Sequence, residues 1–111
     1  MSLSITVSTD ASGDGDARSV VLVSGEVDVS NADELRSALD GCLEDGATAL
    51  VADISEVPYI DSTGIGVLVG VAHRAAEKGA RFEVARPQRN VARVLGLLGV
   101  TAELNIREDA R

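Results

Sequence analysis

Residues 49–54, Ala-Leu-Val-Ala-Asp-Ile, form an apolar run with no turn former. They read as a buried strand that leaves through the polar pair Ser55-Glu56. Beyond the turn around Pro58, Tyr59 and Asp61 the periodicity changes. Ile65, Leu68, Val69, Ala72 and Ala76 recur at three- and four-residue spacing, which places them on one stripe of a helix that Gly79 ends. A strand that turns directly into a helix commits the next strand of the sheet to run parallel, because the helix carries the chain back across the sheet.

The rest of the chain reads as further strands and helices, with no internal repeat. Ser4-Ile5-Thr6-Val7-Ser8 alternates like a strand with one buried face, and Val20-Val21-Leu22-Val23 reads as a second strand buried on both. The polar, turn-rich residues 10–16, with Gly13 and Gly15, predict a mobile hairpin loop between them. After Gly25-Glu26-Val27-Asp28-Val29, Asn31 and Glu34 have the spacing of a capping box, and Ala32, Leu35, Ala38, Leu39, Cys42 and Leu43 share one helical stripe. Cys42 on that stripe is a small core residue. Arg81-Phe82-Glu83-Val84-Ala85 predicts another strand, and Pro87 opens a third helix with Val91, Val94, Leu95 and Leu98 on one face. Leu104-Asn105-Ile106 predicts a last short strand. The result is one α/β domain over residues 1–111. Two adjacent strands and three helix-strand crossovers give a mixed, mostly parallel sheet of about five strands, with helices packed mainly on one face. The helix starts then gather near the strand ends, with Asp28 and Ser62 on one rim.

Ser62 stands where the N-cap of the second helix belongs, its side-chain oxygen able to accept from the first free amides. A capping serine alone does not account for the three glycines in the helix behind it. Gly64, Gly66 and Gly70 together give up ~2 to 3 kcal/mol of helix propensity that a purely structural helix would keep. Gly64 lies near the buried side and suits close packing. Gly66 and Gly70 fall on the flank that runs back toward Ser62, beside Arg74 and Glu77, where a partner can approach closely.

The string Asp61-Ser62-Thr63-Gly64-Ile65-Gly66-Val67-Leu68 after a hydrophobic strand resembles the phosphorylation loop of STAS domains, specifically the bacterial anti-sigma-factor antagonists. A second match, Gly25-Glu26-Val27-Asp28 with Asn31-Ala32-Asp33-Glu34-Leu35 behind it, is similar to that family's Gly-Glu-Leu-Asp segment and the helix after it. The resemblance runs from about Ile5 to Ile106. It implies that Ser62 is phosphorylated by a cognate serine kinase, and that Asp28, Asp61, Ser62, Thr63, Gly64, Gly66, Val67 and Gly70 form the partner surface. The partner it implies is an anti-sigma factor that is also the kinase, with a serine phosphatase to reverse the modification. The alternative within the same family is the accessory STAS subunit of an ABC-type lipid transporter, bound to the transporter ATPase.

Composition and motif spacing exclude several function classes. With 18 acidic against 10 basic residues the formal charge is −8, which argues against nucleic acid and anionic membranes and favours a basic partner. One Phe, one Tyr and no Trp leave the core to aliphatic side chains. No apolar run of ~18 residues predicts membrane insertion, no signal peptide is visible, and a lone cysteine forms no internal disulfide, so the expected location is the cytoplasm. The single histidine, His73, is eleven residues along the helix from Ser62, or ~16 Å at 1.5 Å per residue, too far for a nucleophile-base pair. One His and one Cys do not make an ordinary zinc site, the glycines do not fit a dinucleotide fingerprint, and no phosphate-binding Gly-Lys-Ser/Thr loop occurs. Neither enzyme activity, nor a cofactor, nor a metal is expected.

Overall fold

The computed structural model describes residues 3–11 and 17–106. In chain order it contains β1 (Ser4–Ala11), β2 (Ala17–Ser24), α1 (Ala32–Glu44), β3 (Ala49–Glu56), α2 (Ser62–Glu77), β4 (Arg81–Ala85) and α3 (Arg89–Leu97). The four strands lie side by side in sequence order, β1 antiparallel to β2 and the rest parallel. The hairpin loop predicted at residues 10–16 falls largely outside the described residues.

Alternation and register assign the faces. Val21 and Val23 of β2, Leu50, Ala52 and Ile54 of β3, and Phe82 and Val84 of β4 point to one side and are buried. Helix α1 packs on β2 and β3, α2 packs on β4, and the two helices touch each other. The α1 stripe read from the sequence is the one that packs: Ala32, Leu35, Leu39, Cys42 and Leu43 are all buried. On the opposite face Val20 and Leu22 are only half-buried, so β2 is not covered on both sides as its apolar run implied. Asp53 also lies on that face, where Arg86 pairs with its carboxylate. Burial alone would raise the Asp53 carboxyl, but hydrogen bonds from Arg86 and Ser55 outweigh it and hold the group below its ordinary range.

Two expectations fail at the C-terminal end. Leu104-Asn105-Ile106 is not a fifth strand. Asn105 adopts a left-handed conformation (φ 50°), which breaks the extended backbone, and the segment closes the edge of β4 from a turn instead. The N–H of Val84 donates to Leu104 O, and Asn105 Nδ2 donates to Phe82 O. On α3 only Val91 and Leu95 are buried, while Val94 and Leu98 are exposed.

Candidate functional site

The loops that leave β2 and β3 are stitched together before either helix begins. Val27 and Ile60 form an isolated parallel bridge, in which Val27 N–H donates to Tyr59 O and Asp61 N–H donates to Val27 O. This places the Gly25–Asp28 motif beside the Asp61–Gly64 motif on one rim. Gly64 closes the junction from the helix side. A Cβ there would stand 2.7 Å from both Val27 Cγ1 and Ile60 Cγ1, so only a glycine lets the first turn of α2 settle against the two loops.

The cap is one residue earlier than the sequence suggested. Asp61, in extended conformation, is the N-cap of α2, and its Oδ1 accepts from Gly64 N–H at 3.0 Å. Ser62 is the first helical residue, exposed, and among the described residues neither its hydroxyl nor that of Thr63 has a hydrogen-bond partner. Asp61 takes the cap because its own N–H is fixed to Val27, which orients its side chain toward the helix start. The Ser62 hydroxyl is thereby released from structural duty.

The other loop departs from its predicted capping box. Asn31 occupies the N-cap position of α1 without a side-chain cap bond. Its side chain turns back: Oδ1 accepts from Asp28 N–H and Nδ2 donates to Glu26 O, both at 2.9 Å. Asn31 is 5 % exposed, so this buried amide shapes the loop that presents Asp28. The Asp28 carboxylate accepts from the hydroxyl and the N–H of Ser30, which lower its pKa and keep it ionised.

Of the eight residues expected on the partner surface, the structure brings six to the exposed or half-exposed rim and flank: Asp28, Asp61, Ser62, Thr63, Gly66 and Gly70. Gly64 and Val67 are buried, and Val67 belongs to the core. The reason is a rotation of α2. Seating Gly64 on Val27 and Ile60 turns Ile65, Val67, Leu68, Val71 and Ala75 inward, so of the predicted stripe Ile65 and Leu68 are buried, Val69 and Ala72 are only partly buried against the core, and Ala76 is exposed. At Gly66 a Cβ would meet nothing within 4 Å, so the flank below Ser62 is open; at Gly70 it would meet Arg74 Nη1 at 3.2 Å. Arg74 Nε in turn donates to Asp40 Oδ1 at 2.9 Å, tying α2 to α1.

Sequence reasoning overlooked two apolar side chains on this rim. Val29 is 75 % exposed and Tyr59 50 % exposed, and the Val27–Ile60 bridge brings their two loops together. The available signal was a large apolar residue immediately after one motif, Val29, and the aromatic Tyr59 directly after Pro58 and just ahead of the other. The rim thus combines apolar side chains with the carboxylates of Asp28 and Asp61 around the exposed Ser62 hydroxyl. No group of three or more His, Cys, Asp or Glu among the described residues is placed to hold a metal ion. His73 is committed elsewhere, 3.0 Å from Glu103.

Comparison with known proteins agrees with this geometry. The STAS domain model matches residues 8–111. An anti-sigma-B factor antagonist of Bacillus subtilis is 30 % identical over 86 residues, covering 78 % of each chain. Among solved structures, an anti-sigma factor antagonist from Mycobacterium paratuberculosis superposes with a TM-score of 0.78 at 27 % identity, covering 96 % of this chain and 87 % of its own. The Bacillus cell fate determinant SpoIIAA, solved in its phosphorylated form, shares the fold at 14 % identity, with a TM-score of 0.67 over 94 % of this chain and 93 % of that one. With both motifs on one rim and the family model spanning nearly the whole sequence, the chain belongs to the STAS domain family.

Proposed function

We propose that this protein is a phosphorylation-controlled anti-sigma-factor antagonist. Unmodified, it binds an anti-sigma factor with serine kinase activity and so releases a sigma factor; phosphate on Ser62 ends the binding, and a serine phosphatase restores it. The observation that carries this reading is the division of labour at the start of α2, where Asp61 caps the helix and leaves the Ser62 hydroxyl exposed and unpartnered among the described residues. The N–H groups of Ser62 and Thr63 lack partners among those residues as well, so the helix start has donors ready for an anion. A phosphate adds about −1.5 to −2 charges where amides and the helix dipole favour an anion by ~0.3 to 1 kcal/mol. The fold therefore tolerates it, in keeping with a domain of the same fold having been solved phosphorylated.

A partner seated over the rim does not tolerate it. An unpaired buried charge costs several kcal/mol, and only ~3 to 4 are needed for a hundred- to thousand-fold loss of affinity. Asp28 and Asp61 add like charges beside the phosphate. Before modification the same carboxylates favour a basic partner surface, with Val29 and Tyr59 as its apolar contacts.

The test is intact mass after incubation with host lysate and ATP, then phosphopeptide mapping. A phosphate-sized increment on Ser62, absent from Ser62→Ala, supports the reading. Label on Thr63 or elsewhere, or no label with the cognate kinase present, rejects it.

A further inference from the structure

The two edges of the sheet are treated differently. At β4 the outer edge is closed by the C-terminal turn through the Val84–Leu104 and Phe82–Asn105 hydrogen bonds. At β1 the outer edge has no backbone partner among the described residues, although the strand runs for eight residues. Such edges are usually blunted by a proline, a lysine, a bulge or an inward charge. Here β1 pairs with β2 in unbroken register from Ser4 to Ala11, and residues 3–9 hold no proline, no glycine and no charge. In a chain of net charge −8 this is an uncharged window along a strand edge.

We propose that the outer edge of β1 is a self-association surface, on which a second copy of the chain pairs its own β1 in antiparallel fashion. Charge singles out this occupant. A basic partner gains nothing from an uncharged strand, whereas two acidic copies need a contact that places no carboxylates opposite one another. The side-chain pattern is also self-complementary. With the two-fold axis at Thr6, Ile5 lies opposite Val7 of the second copy on the helix-bearing side. Thr6 lies opposite Thr6 and Ser4 opposite Ser8 on the other side, and β-branched and Thr–Thr cross-strand pairs of this kind stabilise sheets. Val7, left 47 % exposed at the margin of the helix layer, gains a neighbour. The axis reverses strand direction, so the two Ser62 rims point to opposite ends of an eight-stranded sheet and both remain open.

One pair of strand edges buries less than the ~1,200 Å² of a stable interface, so the dimer forms at high protein concentration. Because the copies repel through their net charge, association strengthens as salt is raised toward ~1 M, where the screening length is ~3 Å. Sedimentation equilibrium on the full chain reads both effects, and Val7→Lys, which sets two ammonium groups near the axis, weakens association at least tenfold. The register is tested by mild oxidation with peptide mapping. Thr6→Cys places two thiols opposite each other, within the Cα separation a disulfide spans, and forms a disulfide-linked dimer. Thr9→Cys keeps its thiols ~20 Å apart and does not. A monomer at every concentration up to about 1 mM, equivalent to ~4 kcal/mol of association, overturns the proposal. So does association that weakens with salt, or cross-linking of Thr9→Cys as fast as Thr6→Cys.

Discussion

Val27 and Ile60 meet in a single parallel bridge, and Gly64 stands close enough to both that no side chain fits between. The bridge brings Asp28 and Ser62 to one rim, and the glycine fixes how α2 rises from it. Gly64→Ala improves helix propensity by up to ~1 kcal/mol but inserts a methyl group into occupied space, and overpacking of this kind costs about 1 to 3 kcal/mol. The packing term wins. Urea melts should show a net loss of stability, and amide shifts should change at Val27 and Asp28 as well as in α2.

The shift of the cap from Ser62 to Asp61 separates two variants that would otherwise look alike. Asp61→Ala removes the acceptor of the Gly64 N–H and should lower stability by about 1 kcal/mol. Ser62→Ala removes a hydroxyl that bonds nothing among the described residues and should stay within ~0.5 kcal/mol of the parent while still binding the partner. A loss for Ser62→Ala that exceeds the loss for Asp61→Ala in denaturant melts would place the cap on Ser62 after all.

The legible and the hidden parts of the fold differ in the range of the interactions that set them. The α1 stripe, the bounds of β4 and the stop at Gly79, which has φ 73°, depend on local periodicity and backbone preference, and these are legible residue by residue. The cap was not, because Ser and Asp are equally good caps and the choice is made by the Asp61–Val27 hydrogen bond across the chain. The face of α2 was misread by about one residue for a related reason: Gly64 sets the roll of the helix through contacts with Val27 and Ile60. That roll is what buries Val67. Asn31 has the spacing of a capping box, yet its amide is drawn to Glu26 and Asp28 by the loop before it. Leu104-Asn105-Ile106 alternates like a strand, but the left-handed Asn105 lets Leu104 fill the core from a turn.

The open flank of α2 makes a prediction that discriminates between its two glycines. Gly66→Ala meets no neighbour and should raise stability by up to ~1 kcal/mol in denaturant melts. Gly70→Ala should gain less, since its methyl group displaces an Arg74 guanidinium held by Asp40. If the flank serves the partner, both should weaken binding. A Gly66→Ala variant that is stabilised and binds unchanged would confine the interface to the rim.

Asp53 supplies a pH signature remote from the rim. Its folded-state pKa is depressed, so the stability it contributes is present above the unfolded carboxylate value of about 3.9 and is lost as pH falls through the lower folded value. Asp53→Asn should therefore be less stable than the parent at neutral pH by about 1 to 2 kcal/mol, through loss of the charge-assisted bond from Arg86. The difference should shrink at the acid end of a pH series of urea melts. A difference that stays constant down to pH ~2 would mean that the ion pair is not its source.

Phosphate on Ser62 should act through charge and bulk at the rim without refolding the domain. The N–H groups of Ser62 and Thr63, unpartnered among the described residues, accommodate an anion, and the Asp61 cap and the Val27–Ile60 bridge do not depend on the serine hydroxyl. Ser62→Asp should weaken partner binding less than phosphate does, because it brings one charge and two oxygens in place of nearly two charges and three. Amide NMR shifts of the phosphorylated protein should change from Asp61 to Gly66 and around Asp28, and change little in β1 or β4. A shift pattern spread through Val20 to Val23 and along α3 would show a conformational switch instead, and the electrostatic account of release would have to be abandoned.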